Sequence, residues 1–195
     1  MDVERESDLA LIARLRRGDA AAFDEVYAAY RPRLFGFLLR LTRRREVAED
    51  LLEETWLRAV SHARRLSPDT RLGPWLFTVA RNLFWSYCRS RQVEAAGAAQ
   101  LIGLWPTPAP PPSPFEEAAG GELEARVFRA LAALPPLHRE VLLLVGVEGL
   151  TPAEAAGVCQ VSPEALRKRL SRARALLSAA LDAGAGTRHR TEVPR

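Results

Sequence analysis

Residues 151–177 read TPAEAAGVCQVSPEALRKRLSRARALL, two helix starts separated by a few residues. Thr151, Pro152 and Glu154 fit an N-cap, a first-turn proline and a capping box, because a hydroxyl and a carboxylate can satisfy the amides that open a helix. Ser162, Pro163 and Glu164 repeat that signal, with GVCQV between. On the second helix Leu166, Leu170, Ala173 and Leu177 fall at steps of four, three and four, the stripe a helix buries. Lys168, Ser171 and Arg172 point away from that stripe and Arg167 and Arg169 flank it, while Glu164 and Ala165 sit at the helix tip. Two readings of the basic face are open. Cations opposite leucines are usually a solvated surface; a helix carried by a capped partner across a tight turn also suits the major groove, where arginines hold phosphates. The helix-turn-helix arrangement favours the second.

Working outward, GELEARVFRALAAL ends at Pro135-Pro136 and HREVLLLVGVEG ends at Gly149, so residues 122–182 hold four helical runs. The N-terminal half keeps the same period. Leu9, Ile12 and Leu15 precede Gly18-Asp19, and Ala22, Val26 and Tyr30 follow it. Arg31-Pro32 predicts a restart before the apolar RLFGFLLRL, since proline removes a helix hydrogen bond. From Glu46 to about Arg65, Leu52, Trp56, Ala59 and Ala63 form one stripe. SPDTRLGP (67–74) interrupts the pattern, and helix is predicted again from Trp75 to about Arg91. Alternation long enough for a sheet is absent, so the fold class is all-α, with two small helical domains predicted at 1–92 and 122–182.

Between them, residues 93–121 change in character. Glu94, Glu116 and Glu117 stand without Lys or Arg, and six of the 14 prolines lie in WPTPAPPPSPF. Such a stretch is stiff, extended and poor in core, which predicts a linker. Leu101, Ile102, Leu104 and Trp105 are an apolar exception that suits docking on another surface. The tail from Asp182 has no apolar period, and 183–195 is predicted to be disordered.

Composition excludes several functions. Lys and Arg total 28 against 24 Asp and Glu, a net charge of +4, so only the distribution of charge can point to a polyanion. Cys88 and Cys159 are far apart and outside any CxxC or Cys/His cluster, which argues against a disulfide scaffold or a zinc site and for reduced thiols. His62, His138 and His189 have no partner motif, and no glycine-rich phosphate loop occurs. No cofactor, metal or enzymatic activity is expected. The charged N-terminus lacks a signal-peptide core and no window approaches the ~20 apolar residues of a membrane span, so a soluble, cytoplasmic protein without membrane insertion is expected.

The order of the segments is specific. LPPLHREVLLLVGVEGLTPAEAAGVCQVSPEALRKRLSRARALL (134–177) closely resembles the fourth conserved region of bacterial RNA polymerase sigma factors. AEDLLEETWLRAVSHARRL (48–66) and GPWLFTVARNLFWSYCRSR (73–91) resemble the second. With a linker and no third region between them, the chain is similar to the extracytoplasmic-function (ECF) group over nearly its whole length. The resemblance implies a sigma factor that binds core RNA polymerase, recognises promoter DNA and helps melt it.

Carried position by position, it places Arg167, Lys168, Ser171 and Arg172 in the major groove of the minus-thirty-five element, in agreement with the outward face. Family members often have Gly-Thr where this chain has Glu164-Ala165, and Leu-Gly where it has Cys159-Gln160. The helix carrying Asp50, Glu53, Glu54 and Trp56 matches the family's principal contact with the clamp of the polymerase beta-prime subunit; Glu53 stands where glutamine is common. The helix of Arg81, Asn82, Trp85 and Arg89, with the loop before it, matches the part that reads and melts the minus-ten element. Aromatic faces there can stack on unpaired bases and arginines can neutralise phosphate. About half of the aromatics on this helix are expected in the core, Trp75 and Phe77 among them, and Gly73-Pro74 replaces a usual polar pair before the tryptophan. An anti-sigma partner is a family expectation. The alternative is a sigma-like decoy that captures an anti-sigma factor without reading promoters; such a mimic is expected to lose the basic face, which this chain keeps.

Overall fold

The computed structural model describes residues 2–102 and 122–186. Among them every regular element is helical: α1 (Asp2–Arg16), α2 (Ala20–Thr42), α3 (Arg45–Ala63), α4 (Leu72–Ile102), α5 (Glu122–Ala133), α6 (Pro136–Leu142) continued by a π-helical turn (Leu143–Val147), α7 (Pro152–Cys159) and α8 (Pro163–Gly186). They form two units, Met1–Pro111 and Pro112–Arg195. None of these helices is long and apolar enough to cross a membrane.

In the first unit α2, α3 and α4 pack on one another and α1 lies across α2 and α3. Ile12, Val26, Leu34, Phe37, Leu38, Leu72, Leu76 and Phe77 fill the core. Phe37 meets Phe77 edge-on, with centroids 5.3 Å apart. Asp19 caps α2 by accepting from the Ala21 and Ala22 amides at 2.9 and 3.3 Å, and the Arg14 Nε donates to its other oxygen at 2.7 Å. The Arg14 hydrogen bond first, and the Ala22 amide second, hold the Asp19 carboxyl below its usual range. Its stabilising effect is present above the ordinary carboxylate range and is lost as pH falls through that lowered value.

Four sequence boundaries are corrected. No restart occurs at Arg31-Pro32: Pro32 lies inside the continuous α2. An interior proline costs about 3 kcal/mol, and burial on both sides, by Ala22 and Val26 before it and Leu34, Phe37, Leu38 and Leu41 after it, offsets that cost. Helix α4 begins at Leu72, not Trp75, because Gly73 and Pro74 occupy its first turn, where a missing N–H costs little. It then continues to Ile102, through the first part of the predicted linker, where EAAGAAQ is rich in the best helix former. Likewise α8 reaches Gly186, past the predicted end at 182. Leu104, Trp105 and the rest of the predicted linker to 121, and the tail from 187, lie outside the described residues.

The start of α4 is held by α1 and α2. The Asp8 carboxylate accepts from the Leu72 amide at 3.3 Å and stands 3.8 Å from the Arg71 guanidinium. Gly73 packs against Tyr30 so closely that a Cβ would meet the phenol oxygen at 3.3 Å.

In the second unit α5, α6 and α7 all pack on α8. Arg139, 5% exposed, donates to the carbonyls of Leu131, Ala132 and Leu134 at 2.9, 2.7 and 2.9 Å. These carbonyls lie at the C-terminal end of α5, where intrahelical donors run out; Leu131 also accepts from the Leu134 amide at 3.1 Å, and a cation suits the negative end of a helix dipole. Gln160 closes α7 with φ 56°, in the left-handed region. A non-glycine residue there costs about 1 kcal/mol, so Gln160→Gly is expected to raise the melting temperature of this unit by roughly 4–8 °C in a thermal scan.

Candidate nucleic-acid interface

Helices α7 and α8 are joined by the turn at residues 160–162, and a side-chain cap starts each of the two helices. The Thr151 amide donates to Glu154 Oε2 at 2.9 Å and the Glu154 amide donates back to Thr151 Oγ1 at 3.3 Å, the reciprocal capping box. At the start of α8 the Ala165 amide donates to Ser162 Oγ at 3.1 Å. Leu166, Leu170 and Ala173 are buried, as are Ala155, Ala156, Val158 and Cys159 of α7. Cys159 thus fills the apolar position of the turn. Burying one stripe fixes the opposite one: Glu164, Ala165, Arg167, Lys168, Ser171 and Arg172 are all exposed. Lys168 Nζ lies 2.6 Å from Glu164 Oε1, one helical turn back.

Arg169 departs from the predicted arrangement. Its side chain is 23% exposed and its guanidinium donates to Glu140 Oε1 at 3.2 Å, and Glu140 is fully buried on α6. A buried carboxylate without a cation would be costly, so Arg169 is drawn inward to fix α8 against α6 instead of flanking the outward face.

On α4 the aromatics divide. Phe77 and Phe84 are buried, whereas Trp75, Trp85 and Tyr87 are half-buried. Trp75 is thus only partly in the core. Phe84 stacks edge-on with Trp85 at 5.2 Å, and the Arg81 guanidinium lies 6.0 Å from the Trp85 ring centre. Asn82 is half-buried and Arg89 is exposed, donating to Ser86 Oγ at 2.9 Å. Half-buried Arg81, Asn82 and Trp85 and exposed Arg89 therefore follow one another at helical spacing along one side of α4.

Helix α3 presents Asp50 and Glu53 to solvent; Glu54 is half-buried and accepts from Arg58 Nε at 2.8 Å. Trp56 is 7% exposed, 5.8 Å from Phe23 and 4.8 Å from Tyr27 between ring centres. It belongs to the core, as its place on the stripe of Leu52 and Ala59 dictates. It also lines a cleft of about 510 Å³ with Tyr27, Arg31 and Phe35 of α2 and Arg45, Glu49, Leu52 and Glu53 of α3. Sequence reasoning missed the α2 side of this cleft. Tyr27, Arg31 and Phe35 recur every four residues, a signal that the expected break at Pro32 concealed.

Among the described residues no group of three or more His, Cys, Asp or Glu could hold a metal ion. Family models for Sigma-70 region 2 and Sigma-70 region 4 match residues 26–94 and 124–177. The chain is 35% identical over 159 residues to RNA polymerase sigma factor CarQ of Myxococcus xanthus, covering 82% of this chain and 88% of that one. It belongs to the ECF RNA polymerase sigma factors. The ECF sigma factor EcfG of Rhodopseudomonas palustris is 37% identical over 161 residues, covering 81% and 83%. Among solved structures, sigma factor RpoE of Bartonella quintana, in complex with the anti-sigma factor NepR, is similar with a TM-score of 0.68 and 28% identity over 82% of this chain and 96% of that one. Sigma factors are not enzymes, and this sigma factor's surfaces are therefore read as binding surfaces.

Proposed function

We propose that this sigma factor binds core RNA polymerase, in the cytoplasm, through the acidic face of α3 and brings two DNA-reading surfaces to a promoter. The single observation that carries the reading is the outward face of α8, where Arg167, Lys168, Ser171 and Arg172 are exposed opposite the buried Leu166, Leu170 and Ala173 on a capped helix-turn-helix. In this reading the domain at 122–182 contacts the minus-thirty-five element in the major groove, and the domain at 1–92 holds the polymerase clamp and the minus-ten element. Arg81, Asn82, Trp85 and Arg89 hold unpaired bases and their phosphates as the duplex opens. Residues 93–121 join the two readers. The similarity to a sigma factor solved with its anti-sigma factor supports a regulatory partner of that kind.

Run-off transcription with core polymerase and a library of genomic promoters tests the function directly: promoter-dependent transcripts are expected, and their absence would favour the decoy. Replacing Arg167, Lys168 and Arg172 together by alanine is expected to weaken promoter binding and to flatten the slope of log affinity against log salt by about 2.7, since each phosphate contact contributes roughly 0.9. An unchanged slope in that triple variant would remove α8 from the interface.

A further inference from the structure

The first turn of α8 contains Pro163, Glu164 and Ala165 after its Ser162 cap. Neither Pro163 nor Ala165 can hydrogen-bond through its side chain, and the short Ser162 hydroxyl accepts from the Ala165 amide as the cap. Glu164 is thus the long polar side chain at the tip. It shares a face with Arg167, Lys168, Ser171 and Arg172, at spacings of three, four, seven and eight, and like them it is exposed. It also holds Lys168 at 2.6 Å. Both partners are about two-thirds exposed or more, at 67% and 71%, so the pair is screened and weak and opens readily when a better partner arrives.

From this geometry we infer that Glu164 is a specificity-determining residue of the helix: it makes α8 reject unmatched DNA and favour a cytosine amine at the base it meets. The inference rests on α8 being the DNA-reading helix. An ionised carboxylate only accepts hydrogen bonds. In the major groove it repels phosphates and the acceptor edge of guanine, and finds a donor in the N4 amine of cytosine. While Glu164 lacks such a donor its negative charge offsets that of Lys168 beside it, so the helix tip attracts the backbone less. When Glu164 meets the amine, Lys168 is released to a phosphate. One side chain therefore couples base identity to the strength of backbone binding.

The test is a selection from a random-sequence duplex pool by the full-length chain, followed by salt titration on one enriched and one non-enriched duplex, for the wild type, Glu164→Gln, and a Lys168→Ala/Arg172→Ala double variant. Wild-type selection is expected to enrich a cytosine at one position on the order of tenfold. Glutamine donates as well as accepts and pairs with adenine N6 and N7, so Glu164→Gln is expected to move that preference to adenine. It is also expected to bind the non-enriched duplex roughly three- to tenfold tighter, with a salt slope steeper by about 0.9. If Glu164→Gln retains the wild-type base preference while the double variant binds weakly, the assignment to Glu164 is wrong and α8 remains the reader. If the double variant keeps wild-type affinity and slope, the reading of α8 itself fails.

Discussion

Replacing Arg139 with alanine is expected to destabilise the second unit by roughly 3–5 kcal/mol, the largest loss for any single substitution considered. The guanidinium is buried and bridges the carbonyls of Leu131, Ala132 and Leu134. Truncation removes the guanidinium donor from all three carbonyls, of which Leu131 keeps the Leu134 amide, and hydrogen bonds to a charged group are worth about 1.5–3 kcal/mol each. The planar fork spreads its donors over several carbonyls, which a point-like ammonium cannot do. Arg139→Lys is therefore expected to recover less than half of the loss. Residues 122–186 contain no tryptophan, so the measurement is denaturant unfolding of the full chain followed by far-ultraviolet circular dichroism, with amide exchange assigning the weakened segment. A loss below about 1 kcal/mol would mean that water satisfies those carbonyls when the arginine is gone. If α8 reads the promoter as proposed, promoter affinity is expected to fall with the folded fraction, since α5 and α6 both pack on α8.

Charge reversal at Asp50 and Glu53 to arginine is expected to weaken capture of core polymerase by on the order of a hundredfold, or about 3 kcal/mol, because it sets like charges against a basic partner. Asp50 and Glu53 are both exposed on α3. Glu54 is already engaged by Arg58, so Glu54→Arg alone is expected to do much less. Affinity is measured by fluorescence competition for core polymerase at two ionic strengths, and the difference from wild type is expected to shrink as salt screens the surface. The melting temperature is expected to stay within about two degrees of wild type, because neither side chain contributes to the core. Capture at wild-type strength by the double variant would take the polymerase contact away from this face of α3.

These two residue sets were legible in the sequence to different degrees. EDLLEETW already presents its acids on one turn of a striped helix, so the polar face of α3 follows from which residues it must bury. Arg139 gave no such signal. In LPPLHREV it looks like any solvated arginine at the start of a helix, and its role arises only when α5 ends beside α6. Arg169 departs from its expected flanking place for the same reason: it pairs with the buried Glu140 across 29 residues of chain. Trp56 lies on the stripe of Leu52 and Ala59, and only the fold shows that the rings of Phe23 and Tyr27 pack on it.

What the sequence by itself determined was local and periodic. Apolar residues at steps of three and four set which face of each helix is buried, and Thr151, Glu154 and Ser162 set where the two helices of the turn begin. From these alone the outward face of Arg167, Lys168, Ser171 and Arg172 follows, because a helix has a rigid pitch. Tertiary structure decided what depends on partners distant in the chain. It carried α2 through Pro32, because the burial of Leu34, Phe37 and Leu38 outweighs one missing hydrogen bond. It opened the cleft between α2 and α3 beside Trp56, and it withdrew Arg169 to Glu140. Helix pitch is a property of the backbone and is written into residue spacing. The neutralising of a buried charge and the filling of a core depend on which helices meet, and that is settled only when the chain has folded.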